Sequence, residues 1–145
     1  MENEEKINQG LVCKYCGEPT ELVSSKEIYN GADFGMVYLC RKCNAFVGCH
    51  KGTSEAMGSV ANSEERKLRH LAHHWFDALW KNKIKRSRYN AYSWLSLRMK
   101  LNKNITHMGM FNRDECKAVI EICSRYIKER NVELWEKLGK EAERL

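Results

Sequence analysis

The chain has 145 residues, 43% of them apolar, which suits one compact domain or a small metal module joined to a helical one. No apolar run approaches the 18 or more residues of a membrane span, so the composition argues against a membrane protein. The net charge of +6 is uneven, because residues 1–60 carry −2, residues 61–104 carry +8 and residues 105–145 are neutral. This basic segment favours a polyanionic partner over an ordinary solvated helical face.

Residues 1–10 are polar and acidic, so we expect a flexible N-terminus and, without an apolar leader segment, a cytoplasmic location. In a reducing compartment, paired cysteines are more often metal ligands than disulfides. Seven cysteines are also an odd number for a disulfide framework.

Two Cys-x2-Cys pairs follow, Cys13 with Cys16 and Cys40 with Cys43. Each pair can hold one metal ion from a tight turn, and two pairs supply the four sulfurs of a closed tetrahedral zinc site. Four buried thiols without a metal are the alternative interpretation. Cys49 is an alternative fourth ligand, although its spacing from Cys40 is less typical.

The chain between the pairs predicts a β-hairpin. Residues 27–29 precede Asn30-Gly31, a strong turn signal, and residues 35–39 lead into the second pair. Residues 45–47 predict a third strand. Residues 11–60 therefore have the order of a zinc ribbon with a glycine-rich loop at its end.

Residues 61–145 predict three or four helices. The first begins at Asn62 or Ser63 and has an apolar stripe that we assign to the core. Ser87 and Asn112 are the predicted caps of the next two helices, and a last amphipathic segment covers residues 132–145. Cys116 and Cys123 lie on the apolar side of the third helix and are predicted to be packed thiols. The predicted fold class is α+β, a ribbon followed by a small helical bundle, packed together as one compact unit.

Four polar residues are candidates for catalysis. His50 follows the last cysteine pair, His73 and Asp77 are four apart on the first helix, and His107 lies in a later loop. His70 and His74 form a second such pair on that helix. The alternative is that these are ordinary loop histidines and a solvated helix face.

Cations and aromatic side chains alternate where the first helix ends. Cations neutralise phosphates, and aromatic faces stack on unpaired bases. The alternative places Trp80 and Trp94 in the core and leaves only the cations exposed. The predicted nucleic-acid-binding residues are Arg66, Arg69, Lys81, Lys83, Lys85, Arg86 and Arg88.

The motif order resembles a zinc-finger-containing domain family of bacteria and their phages. The resemblance is carried by Cys13-x2-Cys16, Tyr38-x-Cys40-x2-Cys43, Val47-Gly48-x-His50-x-Gly52-Thr53, His73-x2-Phe76-Asp77-x2-Trp80, Ser87-Arg88-x3-Tyr92-x-Trp94-Leu95 and His107-x-Gly109. The chain departs from the family at Ala56-Met57, where the family has proline-leucine, and at Ala78, where it has proline. The resemblance implies a zinc ribbon and no particular reaction. It also supports a set of candidate functional residues, because the family pattern includes the positions of His50, Thr53, His73, Asp77 and His107.

Three functions fit these observations. The first is a zinc-dependent nucleic-acid-binding protein of phage or mobile-element type, and the sequence favours it over an enzyme. The second is a small nuclease or phosphotransfer hydrolase that uses His50, His73 and Asp77. The third is an inhibitor or adaptor that binds a host protein. The sequence gives no oligomeric state.

Overall fold

The computed structural model describes residues 2–101 and 111–145. It confirms the α+β class, with a three-stranded antiparallel sheet followed by helices. The elements in chain order are α1 (Glu2–Asn8), β1 (Glu21–Ser24), β2 (Met36–Cys40), β3 (Ala45–Gly48), α2 (Ser63–Lys81), α3 (Arg88–Met99), α4 (Arg113–Arg130) and α5 (Val132–Ala142).

The chain divides into two compact units, residues 1–64 and 65–145. The division lies close to the predicted boundary between ribbon and helices. The packing of the two parts into one unit stays a prediction.

The sheet of the first unit has the strand order β1-β2-β3. Tyr38 of β2 lies opposite Leu22 on one side and Val47 on the other. The predicted third strand is confirmed, and an isolated bridge pairs its Phe46 with Ala61. The main chain therefore returns to the sheet just before α2 begins.

The connection between β1 and β2 differs from the extended hairpin that the sequence predicts. Residues 25–27 form a 3₁₀ helix instead of continuing the strand. The buried Ser25 hydroxyl donates to the carbonyl of Ala32 at 3.0 Å and accepts from the amide of Phe34 at 2.6 Å. The turn itself lies where predicted, since Asn30 and Gly31 both have positive φ, 50° and 86°. The hydroxyl organises a longer loop around that turn.

Residues 2–8 form helix α1 within the segment for which the sequence predicts a flexible N-terminus. The helix ends at Asn8, and Gly10 lies two residues further on with a φ of +75°. The Gly10 amide donates to the carbonyl of Ile7 at 3.1 Å, and the Leu11 amide donates to that of Lys6 at 2.9 Å. This is the bond pattern of a Schellman motif, which needs a residue that tolerates the left-handed conformation. The glycine and an i,i+4 ion pair between Glu2 and Lys6 support the short helix.

The helical unit has its own hydrophobic core. The predicted stripe of α2 is confirmed, since Ala72, Trp75, Phe76 and Leu79 are buried. The predicted thiols are packed into the same core, Cys116 and Cys123 both with 0% exposure. Within the described residues, no helix combines the length and the apolar character needed to cross a membrane.

The predicted helix caps are also confirmed. Ser87 accepts a hydrogen bond from the amide of Asn90 at 3.1 Å. Asn112 and Glu115 form a reciprocal capping box at the start of α4, with bonds of 2.8 and 3.0 Å. Asn131 caps α5, a role that is not predicted from the sequence.

Candidate metal centre and charged surfaces

The structure brings the four paired cysteines together. The sulfurs of Cys13, Cys16, Cys40 and Cys43 all lie within 4.8 Å of one another. The Sγ atoms of Cys16 and Cys40 are 3.7 Å apart. Four sulfurs bonded to one zinc ion at about 2.3 Å stand about 3.8 Å apart, whereas a disulfide needs about 2.05 Å. The spacing therefore fits a tetrahedral zinc site and not a pair of disulfides.

Each cysteine pair is followed by a residue in the left-handed conformation. The residue after each pair, Gly17 or Asn44, is in the left-handed region, with φ of 76° and 50°. In the first turn the Gly17 amide donates to the Cys13 carbonyl at 2.8 Å. Glycine and asparagine are the residues that tolerate this conformation. The turn after each Cys-x2-Cys pair is therefore fixed by the next residue.

The surroundings of the sulfurs affect their protonation. Burial raises the pKa of Cys40, and desolvation together with the neighbouring thiols raises the pKa of Cys43 to about 12. A backbone hydrogen bond from Glu18 lowers the pKa of Cys16. Since zinc binds thiolates, binding of the ion has to displace protons from this cluster.

Cys49 lies outside the cluster, so Cys43 is the fourth sulfur in the described structure. Cys49 pairs through its main chain with Ala56 and closes the glycine-rich loop. Inside that loop the Thr53 hydroxyl donates to the carbonyl of His50 at 2.8 Å and accepts from the amide of Glu55 at 3.1 Å. Thr53 thus has a structural role in the loop, and the His50 side chain is exposed.

The histidine face of α2 lines a groove against α5. The groove has a volume of about 450 Å³, and its walls include His70, His73, His74 and Asp77. Among the described residues only the four cysteines form a cluster that could hold a metal, so these histidines do not make a second metal site there. His74 Nε2 lies 2.9 Å from the carbonyl oxygen of Leu138.

Asp77 is also engaged, since its carboxylate accepts a hydrogen bond from Trp80 Nε1 at 3.2 Å. His50 belongs to the first unit, while His73 and Asp77 belong to the second. Their convergence in one active site stays a prediction. His107 lies outside the described residues.

The predicted nucleic-acid-binding cations fall into two groups. Arg69 is 11% exposed, pairs with the equally buried Glu65 at 3.7 Å and donates to the carbonyl of Phe111 at 3.3 Å. Lys85 is half-buried and donates to the Tyr126 hydroxyl at 3.0 Å. These two side chains have structural partners. Arg66 is half-buried, and the exposed members are Lys81, Lys83, Arg86 and Arg88.

Residues 81–88, which we call the basic turn, run from the last residue of α2 to the first residue of α3. Its cations outnumber the acidic residues near them in sequence, because Asp77, four residues before Lys81 on α2, is followed by no Asp or Glu until Asp114. The aromatic residues nearby are mainly structural, since Trp80, Tyr92 and Trp94 pack against the core. Tyr89 differs, with 63% exposure. The surface is thus strongly basic, with one prominent aromatic ring.

Comparison with known proteins agrees with this geometry. A family model described as a zinc-finger-containing domain matches residues 9–126. No curated protein and no solved structure matches the chain. The match includes all four clustered cysteines, and together with their spacing it identifies zinc as the cofactor.

Proposed function

The chain belongs to the family of zinc-finger-containing domains, and on that premise we propose that it binds nucleic acid through its basic turn. In this proposal Cys13, Cys16, Cys40 and Cys43 are the zinc ligands, and the ion maintains the fold of the ribbon. A closed site with four thiolates has no open position for substrate, so its role is structural.

The observation that carries the proposal is the excess positive charge of the basic turn. Four exposed cations, Lys81, Lys83, Arg86 and Arg88, lie within eight residues of one another, and the nearest acidic residue in sequence is the single Asp77, four residues before Lys81. Arginine and lysine release counterions when they neutralise phosphates, which makes binding favourable at low salt. The exposed ring of Tyr89 can stack on an unpaired base beside these contacts.

The capping geometry of α3 supports the same surface. Ser87 caps the helix, so Arg88 and Tyr89 occupy its first turn, where the helix dipole also favours an anion. Lys83 adopts a left-handed conformation, with φ of 60°, within the connection. The cations are therefore placed on a turn of defined geometry rather than along a tail.

The test is a gel-shift titration of the zinc-loaded chain with single- and double-stranded DNA and RNA at two salt concentrations. The test variant changes Lys81, Lys83, Arg86 and Arg88 to Gln. A control variant with the same loss of charge changes four cations of α4, α5 and the C-terminus, Lys117, Lys137, Lys140 and Arg144, to Gln.

We expect binding by the wild type and the control to weaken as salt rises. The slope of log K against log salt should fall by roughly three in the test variant, because each phosphate contact contributes about 0.7–0.9. Equal behaviour of the two variants would show that only total charge matters and would contradict the proposal.

The same experiment separates the other functions. Loss of the strand over time with magnesium present would favour the nuclease hypothesis. No shift at low salt would argue against a nucleic-acid partner and leave the host-protein adaptor. We also propose a phage or mobile-element origin, and what supports it is the resemblance in motif order to a family of bacteria and phages.

A further inference from the structure

Two aromatic rings of the helical unit each lie close to positively charged side chains. The rings of Trp94 on α3 and Tyr126 on α4 have centroids 4.5 Å apart and an interplanar angle of 54°. Lys85 Nζ lies 4.8 Å from the first centroid and 4.6 Å from the second. Arg98 Cζ lies 5.3 Å from the centroid of Trp94, and Arg130 Cζ lies 3.3 Å from that of Tyr126. We call these five residues the cation–ring cluster.

The rings hold the cations without neutralising them. An aromatic face attracts a cation through its quadrupole, but it carries no net charge. Within residues 2–101 and 111–145, no carboxylate forms an ion pair with Lys85 or Arg98. Arg130 has its neighbour Glu129 as an ion-pair partner, at 3.7 Å. Lys85 and Arg98 thus bring two positive charges close together without a carboxylate partner, and a bound anion would relieve their mutual repulsion.

A small pocket opens beside the cluster. It has a volume of about 130 Å³ and is lined by Arg98, Glu121, Ile122, Arg125, Tyr126 and Glu129. Its two carboxylates are already paired, Glu121 with Arg125 at 2.8 Å and Glu129 with Arg130 at 3.7 Å. The lining cations Arg98 and Arg125 balance these two carboxylates, and Lys85 and Arg130, which lie on the ring of the lining residue Tyr126, add two positive charges beside the pocket.

We propose that this pocket binds a phosphoryl group. The volume is several times the roughly 30 Å³ that one water occupies in the liquid, so a tetrahedral phosphoryl group fits while a whole nucleotide stays mostly outside. The Arg98 guanidinium supplies charged donors suited to phosphate oxygens. Because Lys85 donates to the Tyr126 oxygen, the phenolic proton of Tyr126 is available to donate to the ligand.

The phosphoryl site does not depend on the proposed nucleic-acid binding. It shares Lys85 with the basic turn but also includes residues of α3 and α4, and it would exist if Lys81, Lys83, Arg86 and Arg88 bound no nucleic acid. A phosphoryl group could come from a nucleic-acid backbone or from a small phosphorylated ligand. The experiment distinguishes the two sources.

The test is an NMR titration of the zinc-loaded full chain with inorganic phosphate, adenosine monophosphate and a short single-stranded oligonucleotide in separate samples. Arg98→Gln is the test variant and Arg144→Gln is the control, because both remove one exposed arginine. Near-ultraviolet circular dichroism verifies that each variant keeps the wild-type fold. Glu129→Gln is a third variant that releases Arg130 from its carboxylate.

We expect phosphate to shift the signals of Arg98 and Tyr126, with affinity about tenfold lower in Arg98→Gln and unchanged in Arg144→Gln. Glu129→Gln should bind more tightly. If Arg98→Gln also weakens the oligonucleotide, the phosphoryl group belongs to a nucleic-acid backbone. If it weakens only phosphate and the mononucleotide, the ligand is a small phosphorylated molecule.

Either pattern supports the site. Absence of phosphate-dependent shifts at the cluster, or equal affinities of Arg98→Gln and Arg144→Gln, would overturn it. An oligonucleotide that fails to bind at low salt while phosphate still titrates the cluster would refute the proposed function and leave this inference intact.

Discussion

The imidazole of His74 and the main chain of Leu138 are joined by a 2.9 Å hydrogen bond. The carbonyl oxygen only accepts, so Nε2 of His74 is the protonated nitrogen. The bond connects α2 to α5. Leu138, which supplies the carbonyl, is also the buried residue of α5. His74, a member of the second histidine pair predicted on the first helix, thus helps to attach the last helix.

We predict that His74→Ala lowers the free energy of unfolding by about 1 kcal/mol, the usual net contribution of one hydrogen bond. Amide hydrogen exchange in α5 should become faster in this variant. His70→Ala is the matched control, because His70 is exposed on the same groove and should change stability by less than about 0.5 kcal/mol. Equal losses in the two variants would contradict the role of the bond.

The zinc centre should bind one ion per chain. We predict that Cys40→Ser abolishes stoichiometric zinc and that Cys49→Ser retains it, because Cys49 lies outside the sulfur cluster. Metal analysis after dialysis measures the stoichiometry. Loss of zinc from Cys49→Ser would show that the fourth ligand has been misassigned.

Replacing two glycines by alanine should change the free energy of unfolding in opposite directions. Gly17 has φ of +76°, so Gly17→Ala should destabilise the ribbon by about 1–2 kcal/mol although nothing lies within 4 Å of the added Cβ. Gly139 is inside α5 and also has open space around its Cβ, so Gly139→Ala should stabilise the helix by about 1 kcal/mol. Denaturant unfolding of the zinc-loaded protein measures both. Destabilisation by both substitutions would contradict this prediction, because the structure shows no steric clash at Gly139.

Tyr126, the tyrosine of the cation–ring cluster, should lose its phenolic proton at a lower pH than an ordinary tyrosine. The hydrogen bond from Lys85 lowers the pKa of Tyr126 below its usual value of 10. Because the lowered pKa favours tyrosinate in the folded state, the associated stability appears as pH rises through the folded pKa and is lost as pH falls through it. We predict that Tyr126→Phe removes the first step of the tyrosinate absorbance titration and that Lys85→Gln moves this step to higher pH.

Tyr89→Phe is the control for that titration. It also removes one tyrosine, but one whose ring is outside the cluster and 63% exposed. The early step should persist in this variant. Its persistence in Tyr126→Phe instead would assign the step to another residue.

The features that the sequence predicts correctly are encoded locally. The Cys-x2-Cys pairs and the capping residues Ser87 and Asn112 act over two or three positions, so spacing alone is enough to find them. The stripe of α2 follows the helical period for the same reason. Gly10 is an equally local signal, because a glycine just after a polar segment can end a helix.

The features that sequence does not predict depend on contacts between distant residues. Lys85 and Tyr126 are 41 positions apart, and His74 and Leu138 are 64 apart. In the sequence Arg69 looks like any exposed basic residue. In the structure its guanidinium donates to the carbonyl of Phe111, and the side chain lies inside the fold. In the β1–β2 loop, one buried hydroxyl at Ser25 outweighs the extended propensity around it. Such pairings depend on the completed fold rather than on any short pattern.

The two hydrophobic clusters of this fold have no residue in common. One surrounds the sulfurs, with Cys13 and Cys40 among its members, and the other lies between residues 72 and 138. A shortage of zinc in a cell should therefore act first on the ribbon, which lacks a large core of its own. Cellular proteases attack opened segments, so the lifetime of this protein would follow the supply of one trace metal.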